Sequence, residues 1–399
     1  MSNFSHDLAV FGGQPVFDRP LFVGQLNFPE WERIEESFNG VFKRRYYTNH
    51  GPLAQELESK LEEFFGVRHA MCVTNATIGL MIAAVALELK GKVIMPAFTF
   101  IATAQSLSWA GLEPVFCDVD PETHLMSVTR AEELMGPEVS AILGVHLWGN
   151  PCAIDDLRQL ADAHGVRLYF DAAQAFGSTH NNQPIGQFGE LEVFSFHATK
   201  VLSSMEGGCI CTNDDQLAAR IRNIRSSYGS GPAVPIPLTG NGRFSEAQAA
   251  MALLGLEDYP SVEARNRKAR NLYHEKLSDV PGIRFPVKLP ASTSNDQYVV
   301  LEIEEAEFGL SRDQLTQILH SENVMSRNYF TPGVHQSVPY KDWYPQYYDA
   351  LPVTDQLCRT VLQLPSGQGV SSSVIEKICG LIKSVHQDSL NILQRLKQV

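Results

Sequence analysis

Between residues 68 and 227 the chain alternates short apolar runs with longer segments that are apolar at helical spacing. His69–Thr74 reads as a strand, Thr77–Leu89 as a helix, Val93–Met95 as a strand stopped by Pro96, and Thr99–Ala110 as a helix. Pro114–Val119, Ala141–His146 with Ile154–His164, Val166–Phe170 and Val193–Phe196 continue the series. Gly165 stands between a helix and the next strand, where a helix C-terminus favours glycine. Strands this short and this apolar must be buried on both faces, which requires a mostly parallel sheet covered by helices on both sides. Ligands of such sheets gather beyond the carboxyl ends of the strands, so the residues just past each strand are the first candidates for chemistry.

After about residue 255 the pattern changes. Glu263–Leu277 reads as a charged amphipathic helix, Gln297–Ile303 as a strand and Val374–Gln394 as a long terminal helix. A large α/β domain over 1–255 and a smaller α+β domain over 256–399 are expected, which suits a chain of 399 residues. With 44% hydrophobic and 19% charged residues the chain can bury a large core. A net charge of −13 repels phosphate backbones and argues against nucleic acid as a partner. The densest basic run, Lys43-Arg44-Arg45, is followed by Tyr46 and Tyr47 and reads as a contact loop.

Seven cysteines without a CxxC pair give neither a zinc site nor a redox pair, and Cys209 and Cys211 alternate on one face of a strand. The N-terminus lacks a basic region ahead of an apolar one, so no signal peptide is expected. The apolar run from Ile78 to Leu87 is half a membrane span, so no membrane segment is expected either. A soluble cytoplasmic enzyme is the leading class.

Some familiar signatures are missing. Gly91-Lys92 lacks the rest of a phosphate loop, Gly229-Ser230-Gly231 lacks the third glycine of a dinucleotide fingerprint, and no HExxH occurs. Polar residues at strand ends remain. Asp171 closes an apolar strand, as a cap or as a buried carboxylate facing a cationic ligand. Lys200 follows another strand, as an exposed loop residue or as a desolvated nucleophile able to form a Schiff base. Thr74-Asn75-Ala76-Thr77 opens a helix, as a plain cap or as an anion site at the positive end of the helix dipole. Together, an anion site, a carboxylate and a lysine are the parts that hold pyridoxal 5'-phosphate.

The ordered set of Thr48-Asn49-His50-Gly51-Pro52, Pro96–Thr103, Pro114–Asp120, His146-Leu147-Trp148-Gly149, Asp171–Gly177 and Ser195–Gly208 resembles the DegT/DnrJ/StrS family of pyridoxal-phosphate sugar aminotransferases. The resemblance covers nearly the whole chain and implies the aspartate-aminotransferase fold, fold type I. It implies that Ala76, Thr77 and Ser195 hold the cofactor phosphate, Phe100 stacks on the ring, Asp171 pairs with the pyridine nitrogen, Gln174 contacts the ring-hydroxyl region and Lys200 forms the Schiff base. Asn241, in Asn241-Gly242-Arg243-Phe244, matches a residue that reaches the neighbouring subunit's phosphate, which implies a homodimer with shared active sites.

The chain departs from the family pattern at two places. Asn75-Ala76-Thr77 replaces the usual Ser-Gly-Thr, and Pro332-Gly333-Val334-His335 is one residue longer than the usual Pro-Leu-His segment. That variant, with Phe11-Gly12-Gly13 and Trp148-Gly149, looks most like relatives that transfer the amino group of L-glutamate to C4 of nucleotide-linked 4-keto-6-deoxyhexoses, most often on dTDP. Amination at C3, an aminocyclitol ketone, and a non-catalytic regulatory relative are the alternatives; the intact Asp171, Ser195 and Lys200 argue against the last. Candidates for the sugar pocket are Tyr329, Phe330, His335 and the Arg45–Tyr47 loop, each of which could equally make packing or dimer contacts.

Overall fold

The protein is described here from a computed structural model, which covers residues 7–397. Its central sheet has seven strands: β1 (His69–Val73), β2 (Lys92–Pro96), β3 (Glu113–Cys117), β4 (Val139–Val145), β5 (Arg167–Asp171), β6 (Glu192–Ser195) and β7 (Gly208–Thr212). They lie in the order β1-β7-β6-β5-β4-β2-β3. Strand β7 runs antiparallel to both neighbours, and the other pairings are parallel.

Alternate residues of these strands enter different apolar cores, as two-sided burial requires. Leu168 and Phe170 of β5 join one core and Tyr169 the other; Phe194 and Val193 of β6 divide in the same way. The sulfurs of Cys209 and Cys211 lie 3.9 Å apart, so the two residues do share a face of β7.

Helices α1 (Trp31–Arg44) and α2 (Pro52–Phe65) precede the sheet. Helices α3 (Ala76–Ala86), α4 (Ile101–Trp109), α5 (Ile154–His164) and α6 (Asp215–Ser226) follow β1, β2, β4 and β7. Asn75 starts α3 by accepting the Ile78 N–H on Oδ1 at 2.9 Å. Gly79 lets that helix close on the sheet, since a Cβ there would sit 2.7 Å from Val193 Cγ1.

Two expectations about helices are corrected. The helix read over 263–277 is the second half of one helix of 32 residues, α7 (Glu246–Leu277), started by a Ser245–Gln248 capping box and passing through Pro260. The proposed domain boundary at 255 falls inside it. The terminal helix is two, α8 (Ser372–Gln387) and a shorter one over Ser389–Leu396, broken at Asp388. The Asp388 carboxylate accepts the Asn391 side-chain amide at 3.2 Å.

A third core joins Tyr273 and Leu277 of α7, Ile378 of α8 and a three-stranded antiparallel sheet of β8 (Ile283–Arg284), β9 (Val299–Ile303) and β10 (Val361–Leu364). Among the described residues no helix is long and apolar enough to cross a membrane, and all seven cysteines are buried thiols.

Candidate active site

Parallel pairing of β5 with β6 sets Asp171 opposite Val193, so these two strands end side by side. A cavity of about 440 Å³ opens there, within the size range of small-molecule sites. Ala76, Thr77, Phe100, Asp171, Gln174, Ser195 and Lys200 all line it. Seven of the eight residues singled out in the sequence therefore meet at one place. The eighth, Asn241, is exposed and outside the cavity of its own chain.

Asp171 closes a turn and is also a buried carboxylate at the cavity. Its Oδ1 accepts the Ala173 N–H at 3.1 Å, closing a turn, while its Oδ2 accepts the Thr103 hydroxyl at 2.9 Å. Burial pushes this carboxyl above its ordinary value; the Ala173 N–H, the Thr103 hydroxyl and the charge of Lys200 pull the other way and do not cancel it. A carboxyl in that state gains from any cation placed against it.

Lys200 sits past β6 in a turn in which its N–H reaches the His197 carbonyl at 2.9 Å. Its Nζ donates to the Tyr298 hydroxyl at 3.1 Å. Ser195, the last residue of β6, is buried and accepts the His197 N–H at 3.3 Å.

The N–H groups of Ala76 and Thr77 begin α3, and neither has an acceptor among the described residues. Gly208 of β7 keeps this helix end open, because a Cβ there would lie 2.9 Å from the Ala76 nitrogen. Gln174 is fixed by the Trp148 N–H, which donates to its Oε1 at 2.7 Å and leaves its amide NH₂ available. Phe100 is 53% exposed, so it is not a core aromatic.

Of the sugar-pocket candidates, Tyr329 and Phe330 line the cavity. Phe330 stacks on Trp148 (centroids 5.3 Å apart, 14° between planes), and Tyr329 stacks on Phe330 (5.3 Å, 13°). His335 is fully buried outside the cavity with Nε2 3.1 Å from Asp355, and residues 45–47 are exposed and do not line it. Sequence reasoning missed Thr103, Tyr298 and Arg327. Thr103 lies on α4 one turn beyond Thr99, whose hydroxyl is 3.0 Å away, so the pair was visible as helix-spaced threonines behind a strand. Tyr298 and Arg327 carry no local pattern that would have singled them out.

With this geometry in place, comparison with known proteins is decisive. The family described as DegT/DnrJ/EryC1/StrS aminotransferases matches residues 30–383. The chain belongs to this aminotransferase family. It is 35% identical over 374 residues to the dTDP-4-amino-4,6-dideoxy-D-glucose transaminase of Shigella dysenteriae, covering 92% of this chain and all of that one. It is 32% identical to the GDP-perosamine synthase of Caulobacter vibrioides, covering 84% of this chain and 90% of that one. A crystal structure of DesI in the presence of its TDP-sugar product superposes with a TM-score of 0.93 at 41% identity, over 98% of this chain and 99% of that one. As a DegT/DnrJ/EryC1/StrS aminotransferase, the protein is a fold type I sugar aminotransferase that depends on pyridoxal 5'-phosphate.

Proposed function

We propose that the chain moves the amino group of L-glutamate to the C4 ketone of a dTDP-linked 4-keto-6-deoxyhexose, giving a 4-amino-4,6-dideoxyhexose and 2-oxoglutarate. The chemistry rests on one observation: the Asp171 carboxyl, the Lys200 amine and the open end of α3 meet in a single cavity. The substrate rests on two relatives, the Shigella dTDP-4-amino-4,6-dideoxy-D-glucose transaminase and DesI with its TDP-sugar product.

The cavity fits pyridoxal phosphate. Two N–H groups without acceptors at a helix N-terminus suit its phosphate, and a buried carboxyl raised by desolvation suits a protonated pyridine nitrogen. When bound, the cofactor supplies an electron sink for the pair left behind when a substrate C–H bond ionises.

In this reading Ala76 and Thr77, with the Ser195 hydroxyl, hold the phosphate, and Phe100 covers the ring. The Gln174 amide NH₂ donates to the ring hydroxyl. Asp171 keeps the pyridine nitrogen protonated; Ala173 and Thr103 fix its two oxygens so that it stays aimed. Lys200 takes the proton from the α-carbon of glutamate in the first half-reaction and delivers a proton to sugar C4 in the second. Tyr298 holds its Nζ between these tasks.

The chain is further read as a cytoplasmic homodimer, each protomer made of a large cofactor domain (1–255) and a smaller one (256–399) with its own apolar core. The exposed Asn241 is suited to reach the partner's cofactor phosphate, and the touching, exposed rings of Phe42 and Tyr47 (centroids 5.7 Å) suit burial against a second copy. Mixing inactive Lys200→Ala and Asn241→Ala proteins should restore part of the activity. No recovery in proven heterodimers would remove the shared site.

The substrate is tested by offering dTDP-, UDP- and GDP-linked 3-keto and 4-keto sugars with L-glutamate and reading the aminated carbon by NMR. Amination of dTDP-sugars at C4 is expected; amination at C3, or preference for another nucleotide, overturns the assignment.

A further inference from the structure

Transamination runs in two halves through one site, so two unlike substrates must take turns with their reacting carbons at Lys200. L-Glutamate and a nucleotide-linked hexose have little in common there except an anion a few bonds from that carbon. In glutamate it is the side-chain carboxylate; in the sugar it is the first phosphate. One cation that is not already paired, on a side chain long enough to meet either anion, could serve both in turn.

The cavity lining contains one guanidinium, that of Arg327. Among the described residues no carboxylate lies within ion-pair distance of it, whereas most of the other arginines in ion pairs are bound to Asp or Glu on the surface. The other basic side chains of the cavity have partners of their own. Lys200 is held by Tyr298, and His197 has Nδ1 2.9 Å from the Thr199 hydroxyl and Nε2 3.7 Å from Glu206.

Arg327 is also held in place. Its backbone N–H and C=O pair with Gln363 of β10 at 3.1 and 2.8 Å, which ties it to the small sheet. Its guanidinium lies over the Tyr329 ring, 5.4 Å from the centroid, and its Nη1 donates to the Tyr329 hydroxyl. Trp148, Phe330, Tyr329 and Arg327 thus form one stacked wall that ends in a charge. The Nε and Nη2 groups have no partner among the described residues, and such a fork matches the oxygens of a carboxylate and of a phosphate equally well.

We infer that Arg327 is a shared anion anchor, binding the side-chain carboxylate of the amino donor in one half-reaction and the sugar-linked phosphate in the other. The inference rests on the proposed function in both halves, on L-glutamate as donor in the first and on the nucleotide-linked sugar in the second.

The test uses intact holoenzyme and two ligands that cannot react, glutarate and dTDP, with binding measured by titration calorimetry. Arg327→Gln should weaken both by about tenfold or more, the loss expected of a charged hydrogen-bonding partner, and Arg327→Lys should fall between. The absorption spectrum of the bound cofactor should not change. In the first half-reaction alone, followed by that absorption, the variant should need about tenfold more L-glutamate at a similar limiting rate. The rate of the same half-reaction with L-alanine, which has no side-chain carboxylate, should be equal in variant and wild type.

Weakening of only one ligand overturns the shared anchor, and weakening of neither overturns any anchoring role. Equal loss with L-alanine also overturns it, because a merely structural defect would act on every donor. Failure of the substrate reading looks different: wild-type protein would then ignore dTDP while still binding glutarate.

Discussion

The floor of the cavity draws Ala76, Thr77, Asp171 and Ser195 from the ends of sheet strands and one helix, whereas its outer wall draws Tyr298, Arg327, Tyr329 and Phe330 from the segment 297–330. On the floor, sheet register sets position: β5 and β6 are hydrogen-bonded neighbours, so Asp171 and Ser195 cannot shift independently. On the wall, position comes from stacking and from the pairing of Arg327 with β10. In the proposed function the floor is assigned the reaction and the wall the choice of substrate. A wall can be rebuilt by changing side chains without disturbing a strand, and a family with one chemistry and many sugars has reason to be divided in this way.

That division is open to attack by substitution, starting on the floor. Lys200→Ala should lower turnover by about four orders of magnitude or more, since nucleophile and proton carrier are lost together. Borohydride should then no longer fix the cofactor covalently to the chain, as read by mass spectrometry. Asp171→Asn should cost about a hundredfold or more in turnover, by removing the charge that holds the pyridine nitrogen protonated. Asparagine can accept the Ala173 N–H on Oδ1 and donate its Nδ2–H to the Thr103 hydroxyl, reversing that bond, so the melting temperature should move little. Unchanged turnover in Asp171→Asn would reduce this residue to its turn-closing role and erase the distinction between floor and wall.

Tyr298 belongs to the wall yet touches the floor, and it sharpens the boundary between them. Tyr298→Phe removes the 3.1 Å bond to Lys200 Nζ and nothing else that the hydroxyl makes. Loss of one such bond corresponds to about tenfold in rate. If Tyr298 positions Lys200, the loss should appear in the limiting rates of both half-reactions, with the KM for L-glutamate unchanged. A rise in KM alone would assign Tyr298 to substrate binding.

How much could be read from the sequence follows the same line. Asp171, Ser195 and Lys200 were legible because each stands at or just past an apolar strand, and the period of the strand says where its end must be. Ala76 and Thr77 were legible because Asn75 is a capping residue between a strand and a helix. Tyr298 and Arg327 were not, because their place depends on how the small sheet packs against the large one across about a hundred residues of chain, and no local periodicity records that. Phe330 and His335 illustrate the limit. They are five positions apart in one irregular segment, yet Phe330 lines the cavity and His335 turns into the core against Asp355. The long helix α7 was misread for a related reason: Pro260 punctuates the sequence, but packing carries the helix through it.

His335 gives the smallest expected effect on activity and the cleanest check that the wall ends where the structure ends it. Burial is the largest influence on its imidazole and holds it below the ordinary value of 6.5, with Asp355 pulling upward but not prevailing. For a group depressed by folding, the unfolded chain takes up the proton first as pH falls. Its contribution to stability is therefore present above 6.5 and lost as pH drops toward the folded value. Asp355 acts in the opposite sense at lower pH, because burial raises its carboxyl above 3.8, so the comparison belongs between neutrality and mild acid. His335→Gln should be less stable by about 2 kcal/mol near neutral pH, the cost of a lost buried hydrogen bond. Wild type should then lose stability faster than the variant as the solution is made mildly acidic, so that the gap in denaturant midpoints narrows. Turnover and KM for both substrates should stay within about twofold of wild type, because the ring touches nothing in the cavity. A raised KM for the sugar at unchanged stability would instead return His335 to the substrate wall.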